Sequence, residues 1–144
     1  MKIVLQRVTS ASVKVDGKVT GSIDNGYLLL FGVGHDDTED DCRRLADKII
    51  NLRIFSDEND KINLDLNTVK GSLLVVPQFT LYADCRKGNR PNFIQAAKPA
   101  EADRLFQFFV EYCRSKGVRT ETGVFGADMK VELLNDGPFT IVLE

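Results

Sequence analysis

The sequence predicts one α+β domain over residues 1–144, mostly antiparallel sheet with two amphipathic helices, and three observations carry that reading. Two hairpin dipeptides, Asp16-Gly17 and Asn25-Gly26, punctuate apolar runs in the first third of the chain. Two later segments repeat their apolar residues at helical spacing instead of alternating. The length of 144 residues suits one domain, and an apolar content of 43% is enough for a hydrophobic core.

Taken in order, "KIVLQRV" and "SVKV" read as strands, followed by "VTGSI" and then "YLLLFGVG". "YLLLFGV" is apolar throughout, as a strand buried on both faces should be. Thr38 to Leu52 reads as a helix, capped by Thr38 with Asp41 three residues on, and with Leu45, Ile49 and Leu52 on one face. Arg53 to Phe55 and "INLDL" are short strands around the charged turn "SDENDK". "GSLLVVPQFTLYA" begins as a buried strand, and "DCRKGNRPNF" is a polar, basic loop. The second helix runs from Pro99 to Lys116, with proline in its first turn and Gly117 as its stop. Its buried stripe is Ala102, Leu105, Phe106, Phe109 and Cys113. "VRTET", "MKVELL" and "FTIVL" complete the sheet, the last two joined by a turn at "NDGPFT".

Composition narrows the chemistry. The net charge of −2 disfavours a protein that coats nucleic acid through many phosphates, while contact with one RNA end stays open. "MKIVLQRVTSASVKV" reaches an arginine too early for a signal peptide, and no apolar run approaches the length of a membrane span. Three scattered cysteines, Cys42, Cys85 and Cys113, read as reduced thiols without a disulfide framework or metal spacing. The one histidine, His35, stands in the acidic stretch "GVGHDDTEDD", which suits a solvated loop better than a catalytic triad.

Four places could hold chemistry. Pro77 interrupts an apolar strand, so a strand edge, bulge or break is expected there, with Gln78 and Thr80 following. It is either an ordinary edge or a break whose backbone N–H groups serve a ligand. "NDGPFT" joins the most permissive residue, Gly137, to the most restricted, Pro138; it is either a plain turn or a rigid piece of backbone. "VFGADM" offers Phe125 and Met129, as core or as a pocket lining. The basic loop with Arg86, Lys87 and Arg90 could hold phosphates or be solvated.

In combination these segments resemble the D-aminoacyl-tRNA deacylases. "PQFTL" at 77–81 and "NDGPFT" at 135–140 match the family's "SQFTL" and "NxGPxT", and "MKIVLQRV", "GVGHDDTEDD" and "FGADM" are similar too, colinear from Met1 to Glu144. One departure is Pro77, where the family usually has serine, so any role of that hydroxyl or of the N–H is absent. The resemblance implies a barrel-like deacylase fold and hydrolysis of the ester joining a D-amino acid to the 3′-terminal adenosine of tRNA. It implies removal of glycine mischarged on tRNA and sparing of L-aminoacyl-tRNA. No metal or organic cofactor is implied. The expected partner is the aminoacyl-tRNA acceptor end, and the expected assembly is a cytoplasmic homodimer, off the membrane, with active sites at the interface.

Roles are carried over residue by residue. In the family the Gly137-Pro138 peptide is cis and enters the partner's pocket as a wedge of backbone that rejects L-substrates. Arg7, in "QRV", braces that turn through carbonyl hydrogen bonds. Gln78, Phe79 and Thr80 are the catalytic segment: the amides of Phe79 and Thr80 form an oxyanion hole, and Gln78 and Thr80 position the substrate. With no general base in view, water assisted by the ribose 2′-hydroxyl is the expected nucleophile. Phe125 and Met129 lie near the adenosine or the aminoacyl group. The competing readings are a non-catalytic dimer that binds a nucleotide or amino-acid derivative, and an esterase with Thr80 as covalent nucleophile.

Overall fold

The computed structural model describes residues 1–144. Its elements are β1 (Lys2–Val15), β2 (Lys18–Ile23), β3 (Gly26–Gly32), α1 (Glu39–Asn51), β4 (Phe55–Ser56), β5 (Ile62–Leu64), β6 (Ser72–Pro77), α2 (Pro99–Ser115), β7 (Thr120–Thr122) and β8 (Lys130–Leu143). The main sheet runs β2-β1-β3-β6-β7, with β8 on β1. Pairings of β1 with β2, β3 and β8 are antiparallel; those of β6 with β3 and β7 are parallel.

The length of β1 closes the sheet. Its first half, Lys2–Val8, pairs with β3, and its second half, Ala11–Val15, pairs with β2. Bulges near Val8 and at Val13/Lys14 add twist, which brings β2 round to β7. There a Cβ on Gly21 would lie 2.5 Å from the Thr122 carbonyl oxygen, and Arg119 donates to the Ser22 carbonyl at 3.2 Å. The result is a nearly closed barrel.

Both faces of the sheet are buried. Ile3, Leu5, Leu29, Phe31 and Val75 meet Leu45 and Ile49 of α1 and Leu105, Phe106 and Phe109 of α2. Val8, Val13, Leu28, Leu74 and Val76 pack on the barrel side. That explains the absence of alternation in "YLLLFGV". Each such side chain contributes roughly 1.5–3 kcal/mol relative to exposure. The α1 N-terminus carries the expected capping residues: the Asp41 carboxylate accepts from the Thr38 amide at 2.9 Å and from its hydroxyl at 3.2 Å.

Five expectations are corrected. "KIVLQRV" and "SVKV" belong to one strand, because β8 pairs along its length on one side while β2 and β3 follow one another along the other. Asn25-Gly26 is therefore not a hairpin turn: β2 and β3 run in the same direction, each antiparallel to β1, and do not pair with each other. Arg53 and Ile54 precede β4, which starts at Phe55; Arg53 is turned outward to hold the Asn63 carbonyl at 2.8 Å. The strand predicted through "PQFTLYA" ends at Pro77 and becomes a 3-10 turn at Phe79–Tyr82. "MKVELL" and "FTIVL" are not a hairpin. Both pair with β1 in the same direction: Asn135 lies opposite Val8, and Thr140 opposite Gln6. Over that interval β1 advances two residues and β8 five, so the surplus, including Gly137-Pro138, is extruded from the sheet. The Gly137-Pro138 peptide is cis.

Candidate active site

Pro77 ends β6 where its neighbour β7 has already stopped: the last β6–β7 pair is Val75 with Thr122. A residue without an N–H is tolerated at that unpaired end. Gln78 still anchors the chain, its amide donating to the Phe31 carbonyl at 2.8 Å. The backbone then tightens, so Phe79 and Thr80 open a 3-10 turn, the position where amide N–H groups lack an intrahelical acceptor. The Gln78 side-chain amide donates to Thr80 Oγ, tying the two polar side chains to each other.

This turn forms one wall of a cavity of about 670 Å³. Phe31 and Val33 contribute from the end of β3, Phe125 and Met129 from the loop before β8, and Phe93, Ala96, Ala97, Lys98 and Pro99 from the segment leading into α2. Most of the lining is apolar, with Gln78 and Lys98 as its polar exceptions, and the size suits a small-molecule site. Phe79 is 56% exposed and meets Phe93 edge-on at 4.9 Å. Phe125 leans on Phe106 of α2 at 6.3 Å. The Met129 thioether accepts from the Val124 amide at 3.4 Å, and a Cβ on Gly123 would lie 2.7 Å from its sulfur. Gly123 thus leaves room for Met129 beside Pro77.

The expected site residues therefore fall into two groups. Gln78, Phe79, Phe125 and Met129 line the cavity; Thr80 is not part of its lining and meets it through Gln78. Arg7, Gly137 and Pro138 form a separate cluster outside it. Arg7 is buried, with Nε donating to the Asp136 carbonyl at 3.0 Å and Nη1 to the Ile54 carbonyl at 2.5 Å, and its guanidinium lies 4.7 Å from the centre of the Phe139 ring. Asn135 closes the extruded turn from beneath: Oδ1 accepts from the Phe139 amide at 2.8 Å, and Nδ2 donates to Thr140 Oγ1 at 3.0 Å. Gly137 adopts φ +143, and a Cβ there would lie 2.9 Å from the Phe139 amide nitrogen.

Sequence reasoning missed the 93–99 wall. Its apolar members are small or isolated, and no periodicity marks them. They reach the cavity because Ala97 donates to the Val33 carbonyl at 2.9 Å and Ala96 bridges to Gly34. His35 is exposed and its Nε2 meets the Ile94 carbonyl, on the outer side of that segment. No hydroxyl in the site has an imidazole or carboxylate hydrogen-bonded to it as a base.

Known proteins are similar to this chain along their full length. A family model described as D-Tyr-tRNA(Tyr) deacylase matches residues 4–144. The chain is 57% identical over 144 residues to the D-aminoacyl-tRNA deacylase of Bacillus pumilus, covering all of this chain and 98% of that one. It is 53% identical to that of Clostridium perfringens, covering 100% and 97%. Among solved structures, one titled c-Myc DNA Unwinding Element Binding Protein superposes with TM-score 0.93 at 40% identity, covering 100% of this chain and 98% of that one. A probable eukaryotic D-amino acid tRNA deacylase shares the fold at 19% identity, with TM-score 0.85 over 99% and 97% of the two chains. With a family model spanning nearly the whole chain and full-length relatives above half identity, this chain belongs to the D-Tyr-tRNA(Tyr) deacylase family.

Proposed function

We propose that the protein hydrolyses the ester of D-aminoacyl-tRNA, and of glycine mischarged on tRNA, in the cytoplasm, while sparing L-aminoacyl-tRNA. The observation that carries this reading is the position of Phe79 and Thr80 at the start of a 3-10 turn on the wall of an apolar cavity. An activated ester needs little more than oriented N–H donors for its oxyanion and an oriented water. Water, assisted by the ribose 2′-hydroxyl, is the nucleophile. Gln78 and Thr80, joined side chain to side chain, hold the substrate in place. Phe125 and Met129 supply the apolar wall for the adenosine or the aminoacyl group.

Chirality is sorted by exclusion. D- and L-residues carry the same groups, so rejection requires something hard where the wrong substituent would go. Gly137-Pro138 provides it: proline fixes its own φ, glycine permits close approach, and Arg7 and Asn135 hold the turn from two sides. Glycine, without a side chain to collide, passes.

Within one chain the turn lies outside the cavity lining. The wedge therefore works in a homodimer, each turn entering the partner's pocket. Two features support association: β8 is fourteen residues long and pairs only with β1, and Leu134 and Val142 on it are exposed at 62% and 63%.

Deacylation of matched D- and L-tyrosyl-tRNA by purified protein tests the reading. Release of the D-substrate alone is expected. Binding without turnover of either would establish instead a non-catalytic binder, the reading that the lack of a general base favours.

A further inference from the structure

The basic loop that precedes α2 plays no part in the cavity chemistry, yet it is built onto the cavity's rim. Residues 85–98 contain Arg86, Lys87, Arg90 and Lys98 and no acidic residue, within a chain of net charge −2. Asp84 neutralises Arg86, with hydrogen bonds of 2.9 and 2.7 Å to its guanidinium. Lys87, Arg90 and Lys98 have no carboxylate within ion-pair distance, and all three are exposed. Most other arginines on the molecule are spent on neighbouring acids, as Arg43, Arg44, Arg104 and Arg114 are. Lysines elsewhere, such as Lys18 and Lys61, are unpaired too; what sets these cations apart is an acid-free loop that borders the cavity.

The loop is also held in place. Asp84 and Asn92 exchange both backbone hydrogen bonds, at 2.8 and 3.0 Å, and close residues 85–91 into a projection. The next residue, Phe93, lines the cavity and packs on Phe79. Ala96 and Ala97 fasten the following segment to the end of β3, and Lys98 lines the cavity itself. Beside these cations stand two exposed apolar side chains, Phe79 at 56% and Ile94 at 77%. Cations interleaved with apolar and aromatic surface are what a single-stranded nucleic acid needs: charges for its phosphates and faces for its bases.

We propose that residues 85–98 form a binding rim for the single-stranded 3′ end of an RNA, with Lys87, Arg90 and Lys98 on successive phosphates and Phe79 and Ile94 against bases. The proposal rests on the deacylase reading for the choice of RNA over other polyanions. It accounts for how a chain of net negative charge holds a polyanion: contact is confined to the few nucleotides that lead into the cavity, and the rest of the RNA is left free.

The probe is a fluorescently labelled RNA hairpin ending in single-stranded CCA, with its affinity measured by anisotropy against KCl concentration. Each single-strand phosphate contact contributes about 0.7 to the slope of log K against log salt. Removing two, in Lys87→Ala/Arg90→Ala, lowers the slope by about 1.4 and weakens binding by about tenfold at low salt. The control Lys18→Ala/Lys61→Ala makes the same change in net charge at exposed, unpaired lysines away from this loop, and leaves the slope intact. A blunt hairpin without the single-stranded end does not distinguish the loop variant from the parent. An unchanged slope in the loop variant, an equal loss in the control, or an equal loss with the blunt hairpin overturns the rim. Hydrolysis of D-tyrosyl-tRNA by the same parent preparation is read in parallel. Hydrolysis with no loop-dependent slope sinks the rim alone, and a loop-dependent slope without hydrolysis sinks the deacylase reading alone.

Discussion

Thr80 and Gly137 show how much a single residue's surroundings decide. The Thr80 hydroxyl accepts from Gln78 and has no base beside it, so it is a poor nucleophile in a suitable place. Thr80→Ala is expected to retain activity within about tenfold of the parent, whereas removing a covalent nucleophile costs several orders of magnitude. Steady-state deacylation, together with a search for a trapped acyl-enzyme, decides between them. Gly137 is constrained in the opposite sense. Its φ of +143 and the 2.9 Å approach of the Phe139 amide nitrogen leave no place for a methyl group. Gly137→Ala is expected to cost on the order of 1–3 kcal/mol in stability and to lower turnover even of D-substrates. Denaturant melts and deacylation rates measure the two effects, and a variant as stable and as active as the parent would remove the turn from the mechanism.

At the scale of elements, the seam between α1 and α2 carries two of the three cysteines. Cys42 and Cys113 are both fully buried, and burial pushes each thiol up to about 12. The negative charges of Asp37, Asp41 and Glu39 add to the rise at Cys42, and those of Cys42 and Asp47 to the rise at Cys113, while Arg104 partly offsets it at Cys42. The thiolate is the reactive species, so both stay unreactive at neutral pH. Cys85, exposed in the basic loop, is the one accessible thiol. Native protein is expected to take up one equivalent of a thiol reagent at neutral pH, and three after unfolding. Rapid labelling of more than one site in the native state would mean that the helix seam opens. The extruded turn in β8 is an element-scale feature as well: it exists because two pieces of one strand share β1 as a partner at different registers.

For the whole molecule, the separation of the Gly137-Pro138 turn from the cavity has a consequence for assembly. If the wedge acts in trans, the functional unit has twice the 16.1 kDa mass of the chain. Sedimentation equilibrium is expected to show that mass at micromolar concentration. Charge placed on the exposed apolar positions of β8, as in Leu134→Glu/Val142→Lys, should yield a folded monomer that has lost discrimination against L-substrates. A monomer that still spares L-tyrosyl-tRNA would place the selectivity inside one chain.

The sequence by itself determined the helices, the Asp16-Gly17 hairpin and the doubly buried strand, because periodicity and turn chemistry are local: Thr38 with Asp41, Pro99, Asp16-Gly17 and the uninterrupted "YLLLF" each act within a few residues. Asn25-Gly26 carried the same signal, yet β1 takes both of its flanks on one side, so no hairpin forms there. The sequence also marked the two candidate segments, since Pro77 and Gly137-Pro138 are conspicuous wherever they fall. Tertiary structure alone decided what those segments do to each other. Local reading gave "NDGPFT" a hairpin, since nothing near it reveals that Val8 and Gln6, far away in sequence, will claim both of its flanks. Local reading also passed over Phe93 to Lys98, which become a cavity wall through long-range bonds to Val33 and Gly34. Backbone preference is encoded residue by residue, but the register between distant strands is set by which pairing buries both faces of the sheet at once.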